Sequence, residues 1–147
     1  MRGRFLSIDE QRAAMAAAWP MFVCRDVDRA AQSARWVGAV MPQYTRYTLE
    51  ISYRLGVQPD VRVLAPVLVR LPENVEGELP HVFPPADDPT LCLFDPRADE
   101  WDGSMAIAAT IAPWSFDWIA CYELWLMTGR WTGGGRHVTA DAGLEAA

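Results

Sequence analysis

Tyr47-Thr48-Leu49-Glu50-Ile51-Ser52-Tyr53-Arg54 alternates apolar and polar side chains over eight residues. Period two is the signature of a β-strand with one face on a core and one face in water. An antiparallel sheet tolerates that arrangement, whereas strands of a parallel sheet are covered on both faces. Working outward, Trp36 to Val40 reads as a strand before it, with Met41-Pro42-Gln43 as the turn between them. Gly56 to Asp60 supplies a turn on the other side and Val61 to Ala65 a further strand that Pro66 limits. Val67 to Leu71 is a candidate extension of that strand past a bend.

Helix flanks this β region. Ser7-Ile8-Asp9-Glu10 has the capping-box spacing, and the Ala-rich run that follows reads as helix as far as Trp19, where Pro20 stops it. Met21 to Ala34 is ambiguous, and Val23, Val27 and Ala30 or Ala31 could continue a helical face. After the sheet, Pro72 to Asp99 holds six prolines and reads as one long irregular loop. Asp102 or Ser104 can then cap a helix over Met105 to Ala112, with Pro113 starting or kinking the next. Trp114, Trp118, Cys121, Tyr122, Trp125 and Leu126 recur at three- and four-residue steps, an apolar helix face that Gly129 ends. Helix, grouped strands, long loop and helices predict an α+β fold built on an antiparallel meander. One domain over residues 1–138 and a tail over 139–147 are expected.

The totals narrow the function classes. The chain has 147 residues, about half of them apolar, which suffices for one hydrophobic core. Its net charge of −6 argues against binding to nucleic acid or to an anionic membrane surface, both of which require clustered Lys and Arg. Three widely spaced cysteines and two histidines form no zinc signature, so no metal and no cofactor is expected. An odd thiol count fits a reducing cytoplasm. No apolar run long enough for a signal peptide core or a membrane span is present.

Within the long loop, Leu79-Pro80-His81-Val82-Phe83-Pro84-Pro85 is followed by Thr90-Leu91-Cys92-Leu93-Phe94 and then Glu100-Trp101. Cys92 thus stands between apolar neighbours, with His81 eleven positions before it and Trp101 nine after it. A cysteine between leucines is ordinarily a small core hydrophobe. One in a Pro-rich loop with these flanks is a candidate nucleophile. Cys24 and Cys121 lie in apolar runs and are read as packing residues, and His81 as a structural tie of the loop.

The order of elements and the loop residues together resemble the ubiquitin-conjugating-enzyme fold, most of all its bacterial branch. That branch has His-x-aromatic-Pro and then Leu-Cys-Leu-aromatic, matched here by His81-Val82-Phe83-Pro84 and Leu91-Cys92-Leu93-Phe94. Trp101, the stretch from Pro113-Trp114 to Trp125, and Thr128 to Gly135 also resemble it, so that the likeness covers roughly residues 35 to 135. The resemblance implies an N-terminal helix, a four-stranded meander, a cysteine-bearing loop and C-terminal helices. It implies Cys92 as an acyl acceptor, with His81, Thr90, Asp95 and Trp101 as supporting loop residues. The Asn that follows His-Pro in eukaryotic relatives is replaced by Val82-Phe83, which leaves a backbone N–H or a side chain such as Thr90 as the oxyanion donor. Ala86 to Pro89 lengthens the loop.

The same resemblance implies a setting in antiphage defence operons. The partner would be a protein whose C-terminus is conjugated, a cyclic-nucleotide synthase or a ubiquitin-like protein, with activation by a separate enzyme. Aminolysis of a thioester benefits from a carboxylate near the incoming amine, and Asp95 is the nearest in sequence to Cys92. Two other readings compete: a catalytically inactive scaffold of the same fold, and a Cys–His hydrolase using Cys92 and His81. The aromatic regions around Trp114 and Trp131 are candidate partner surfaces.

Overall fold

The computed structural model describes residues 3–132; the Gly133 to Gly135 run and the expected tail lie outside the described residues. Helix α1, Ile8–Ala18, precedes four strands, β1 (Val23–Asp28), β2 (Ser33–Val40), β3 (Tyr47–Arg54) and β4 (Asp60–Ala65). They form one antiparallel sheet in the order β1-β2-β3-β4. A short hairpin of β5 (Val82–Phe83) and β6 (Thr90–Leu91) lies inside the long loop. A 3-10 turn, Ile107–Ala109, then leads into helix α2, Ile111–Thr128. The fold is α+β, with helices at both ends of a four-stranded meander.

The capping box forms as its spacing predicts: the Glu10 N–H donates to Ser7 Oγ at 3.1 Å and the Ser7 N–H to Glu10 Oε1 at 2.8 Å. Ile8, Gln11 and Met15 repeat at helical steps and are buried. Buried Gln11 is satisfied at both ends of its amide, its Nε2 donating to the Met105 carbonyl at 3.0 Å and its Oε1 accepting from the Ile107 N–H at 2.9 Å. Trp19 Nε1 donates to the Ala108 carbonyl at 2.8 Å, so three side-chain bonds dock this end of the chain on the 3-10 turn before α2.

Strand β3 spans the alternating segment, burying Tyr47, Leu49, Ile51 and Tyr53. The core is one cluster joining the inner face of the sheet to α1, the segment Leu91–Phe94, the 3-10 turn and the Trp118, Tyr122 and Trp125 stripe of α2. Fully burying one large apolar side chain of this kind contributes about 1.5–3 kcal/mol.

Three expectations are corrected. Met21 to Ala34 holds β1 and a turn rather than further helix. The Ala31 N–H donates to Asp28 Oδ1 at 3.0 Å, and Gln32 has a φ of 56°, which returns the chain to Ser33 opposite Asp28. β1 is an edge strand with a register shift between Cys24 and Asp26, so its burial never alternates cleanly and period two is lost. Val67 to Leu71 does not extend β4: beyond the cis Ala65–Pro66 peptide the chain leaves the sheet, and the Val69 N–H donates to Tyr122 Oη on α2 at 2.7 Å. The helix expected over Met105 to Ala112 is only the 3-10 turn, after which α2 begins at Ile111. Pro113 fits in the first turn of α2, where its missing N–H has no intrahelical partner to lose. Gly129 closes α2 with a φ of 75°.

Candidate functional site

His81 begins the site in the left-handed region, with a φ of 60°. From there Val82 and Phe83 pair with Leu91 and Thr90, and the Asp88 N–H donates to the Pro85 carbonyl at 3.1 Å inside the turn that joins them. The Cys92 N–H donates to the His81 carbonyl at 2.9 Å, extending the ladder by one bond and placing Cys92 where the hairpin ends. The same carbonyl accepts from Trp118 Nε1 at 2.9 Å. His81 therefore ties the loop through its main chain, and its ring packs on Trp131 at a centroid distance of 4.8 Å.

The added residues Ala86 to Pro89 form the hairpin tip, which is clamped from the side of β4. Arg62 Nε lies 3.0 Å from Asp88 Oδ1, and the Arg70 guanidinium donates to the Ala86 carbonyl. Arg62 also lies 3.9 Å from Glu50, which is 2.8 Å from Arg35, itself 2.8 Å from Asp26. Charges of alternating sign thus cross the outer face of the sheet from β1 to the tip.

Cys92 is 6 % exposed, between buried Leu91 and Leu93, with its Sγ 3.8 Å from the Phe94 carbonyl. Its own N–H is spent on His81, which removes that group from the possible oxyanion donors. Thr90, the side chain considered for that task, is buried on β6 opposite Phe83. Asp95 accepts the Arg97 N–H at 2.9 Å, and its own N–H donates to Glu100 Oε1 at 3.0 Å, so its carboxylate is set in a tight turn three residues after the cysteine. Trp101 is buried, donates to Thr110 Oγ1 at 2.9 Å, and meets the Tyr53 ring edge-on at 5.5 Å. It anchors the far end of the loop to the residue just before α2.

A family of known proteins fits this arrangement: the model described as Type II CBASS E2 protein matches residues 11–138. The chain belongs to that family. It is an E2-like protein of bacterial antiphage defence. No curated protein matches it. Within the family frame, the helix–meander–loop–helix order places Cys92, His81 and Trp101 on one loop that is tied at its start, tip and end.

Three contributors to the site went unread in the sequence. Trp118 was legible only as a core residue of an apolar stripe, and Arg62 and Arg70 only as ordinary polar positions. Trp131, a candidate for a partner surface, is buried against His81, Trp118 and Trp125. Trp114 is partly buried and lies 6.1 Å from Phe94. Around the site, burial pushes the Tyr122 phenol up, and burial followed by the Glu123 carboxylate does the same to Tyr47, which donates to Glu123 Oε2 at 2.9 Å. Both phenols are neutral packing groups in the working pH range. Among the described residues no group of three or more His, Cys, Asp or Glu side chains could hold a metal, and no helix is long and apolar enough to cross a membrane.

Proposed function

We propose that this protein is an acyl carrier that works on the cytoplasmic side of CBASS defence. Cys92 accepts the C-terminus of a partner protein as a thioester and passes it to an amine. In the first step the Cys92 thiolate attacks the carbonyl carbon of a donor thioester. A new C–S bond forms, the old one breaks, and the donor leaves as a thiolate. In the second, an amine attacks the Cys92 thioester, loses a proton, and expels the Cys92 thiolate as the amide forms. A nearby carboxylate such as Asp95 takes that proton. The protein whose C-terminus is carried is a cyclic-nucleotide synthase or a ubiquitin-like protein, and a separate activating enzyme supplies the donor thioester.

The observation that carries the reading is the position of Cys92 at the mouth of a hairpin fixed at three points, in a chain of this family. Fixing the main chain on both sides of a nucleophile holds its side chain in an attack geometry and leaves the thiol free to react. The experiment is intact-mass analysis of the protein purified together with its operon partners, with and without reductant, beside Cys92→Ser. A thiol-labile adduct on the native chain and a stable ester on the Ser variant are expected. No adduct on either chain would overturn the reading.

Two observations favour the scaffold reading: Cys92 is only 6 % exposed, and Val82-Phe83 stand where the eukaryotic relatives carry Pro-Asn. Phage protection that survives Cys92→Ala would select the scaffold.

A further inference from the structure

We propose that Trp118 is a positioning residue for Cys92, acting through the main-chain carbonyl of His81; this rests on Cys92 being the acyl acceptor. A residue with a side chain adopts a φ near +60° only when its surroundings hold it there. His81 is held by two donors on one oxygen, Cys92 N–H and Trp118 Nε1, each at 2.9 Å. The first belongs to the loop itself and cannot fix that loop relative to the body of the protein. The second belongs to α2.

The indole is rigidly seated. It is 3 % exposed, stacked on Tyr122 at 5.5 Å with an interplanar angle of 13°, and backed by Trp131 at 5.1 Å. A buried donor so placed gives the His81 oxygen one fixed position, and that oxygen in turn orients the Cys92 amide and the direction in which its side chain leaves the backbone. The path from α2 to the cysteine runs through two hydrogen bonds and touches no reacting atom. Its loss should therefore slow transfer without weakening the hold on the donor protein.

The test is Trp118→Phe, which keeps an aromatic ring in the stack and removes the N–H. In a ¹⁵N-labelled sample the Cys92 amide should exchange with deuterium about tenfold faster, the size expected for one lost hydrogen bond, while amides in the middle of α2 keep their rates. In the thioester assay kcat should fall with KM for the donor unchanged. Tyr122→Phe, which keeps the ring stacked on Trp118 and removes only the hydroxyl that accepts from the Val69 N–H, should leave Cys92 exchange as it is. If Trp118→Phe does not fold, 3-benzothienylalanine at position 118, which replaces the N–H by sulfur in the same shape, decides the matter. An unchanged Cys92 exchange rate in either folded variant overturns the proposal. Failure of the Cys92→Ser trap would instead overturn the acyl-carrier reading, and the exchange result stands apart from it.

Discussion

Gly38 lies on β2 opposite Leu49, and a Cβ built on it would come within 2.6–2.8 Å of three atoms of the Phe22 ring. Phe22 is 4 % exposed and closes the core just past the end of α1, so it has little room to retreat. Gly38→Ala should cost about 1–3 kcal/mol through overpacking, read as a fall in Tm. Pairing it with Phe22→Leu should recover part of the loss, and a double variant less stable than Gly38→Ala alone would show the clash lies elsewhere. Glu10 titrates instead of packing. Its hydrogen bond to Arg4, then the one from the Ser7 backbone, hold its carboxyl at about 2 against an ordinary 4.5. A carboxyl depressed in the folded state contributes stability that is present above the ordinary value and is lost as pH falls toward the folded one. Glu10→Gln should flatten the denaturation midpoint between about pH 4.5 and 2, and an equal slope in both proteins would contradict the assignment. Asp9, lowered by its bond to Arg29, leaves a residual slope of the same sign.

At the scale of elements, α1 is held by a polar contact as much as by its apolar face. Gln11→Ala would leave the Met105 carbonyl and the Ile107 N–H without their partner in a buried place. The loss should be about 2–4 kcal/mol, more than a substitution at an exposed position of the helix costs. Urea titration of Gln11→Ala beside Ala13→Ser checks this, with equal losses as the contrary result. The same element shows what a sequence can and cannot reveal. The capping box, the stop at Pro20 and strand β3 were legible because each is written in neighbouring residues: a side chain bonding three positions away, a missing N–H, a strict alternation. β1 was not, because an edge strand with a bulge has no repeating burial for the sequence to encode. Nor was the short stub at 107–109, where the chain is bent to meet Gln11 and Trp19 from about ninety residues away. In the candidate site, Cys92, His81 and Trp101 were visible from their spacing on one loop. Trp118, Arg62 and Arg70 reach that loop only through space, and their own neighbours in the chain carry no trace of it.

Across the whole molecule, Asp26, Arg35, Glu50, Arg62 and Asp88 link every strand of the sheet to the hairpin tip. The links are unequal. Glu50 is 15 % exposed and shared by two arginines, whereas Asp26 at the far end is 72 % exposed. Glu50→Gln should therefore lower stability measurably, while Asp26→Asn stays within about 0.5 kcal/mol. Thermal melts at low and at 1 M salt test this: Asp26→Asn should merge with the native protein at high salt, and Glu50→Gln should stay apart, because only the sheltered charge escapes screening.

The bonds from Gln11 and Trp19 to Met105, Ile107 and Ala108 also set an order of events during synthesis. Helix α1 is made before the segment it docks on, and its buried amide has nothing to bond until Met105 to Ala108 have emerged. The meander, whose strands pair with their immediate successors, is free to assemble as it emerges. Helix α1 is thus locked only after the meander has been made, and the cysteine loop, which precedes α2 in the chain, waits with it for the Trp118 indole.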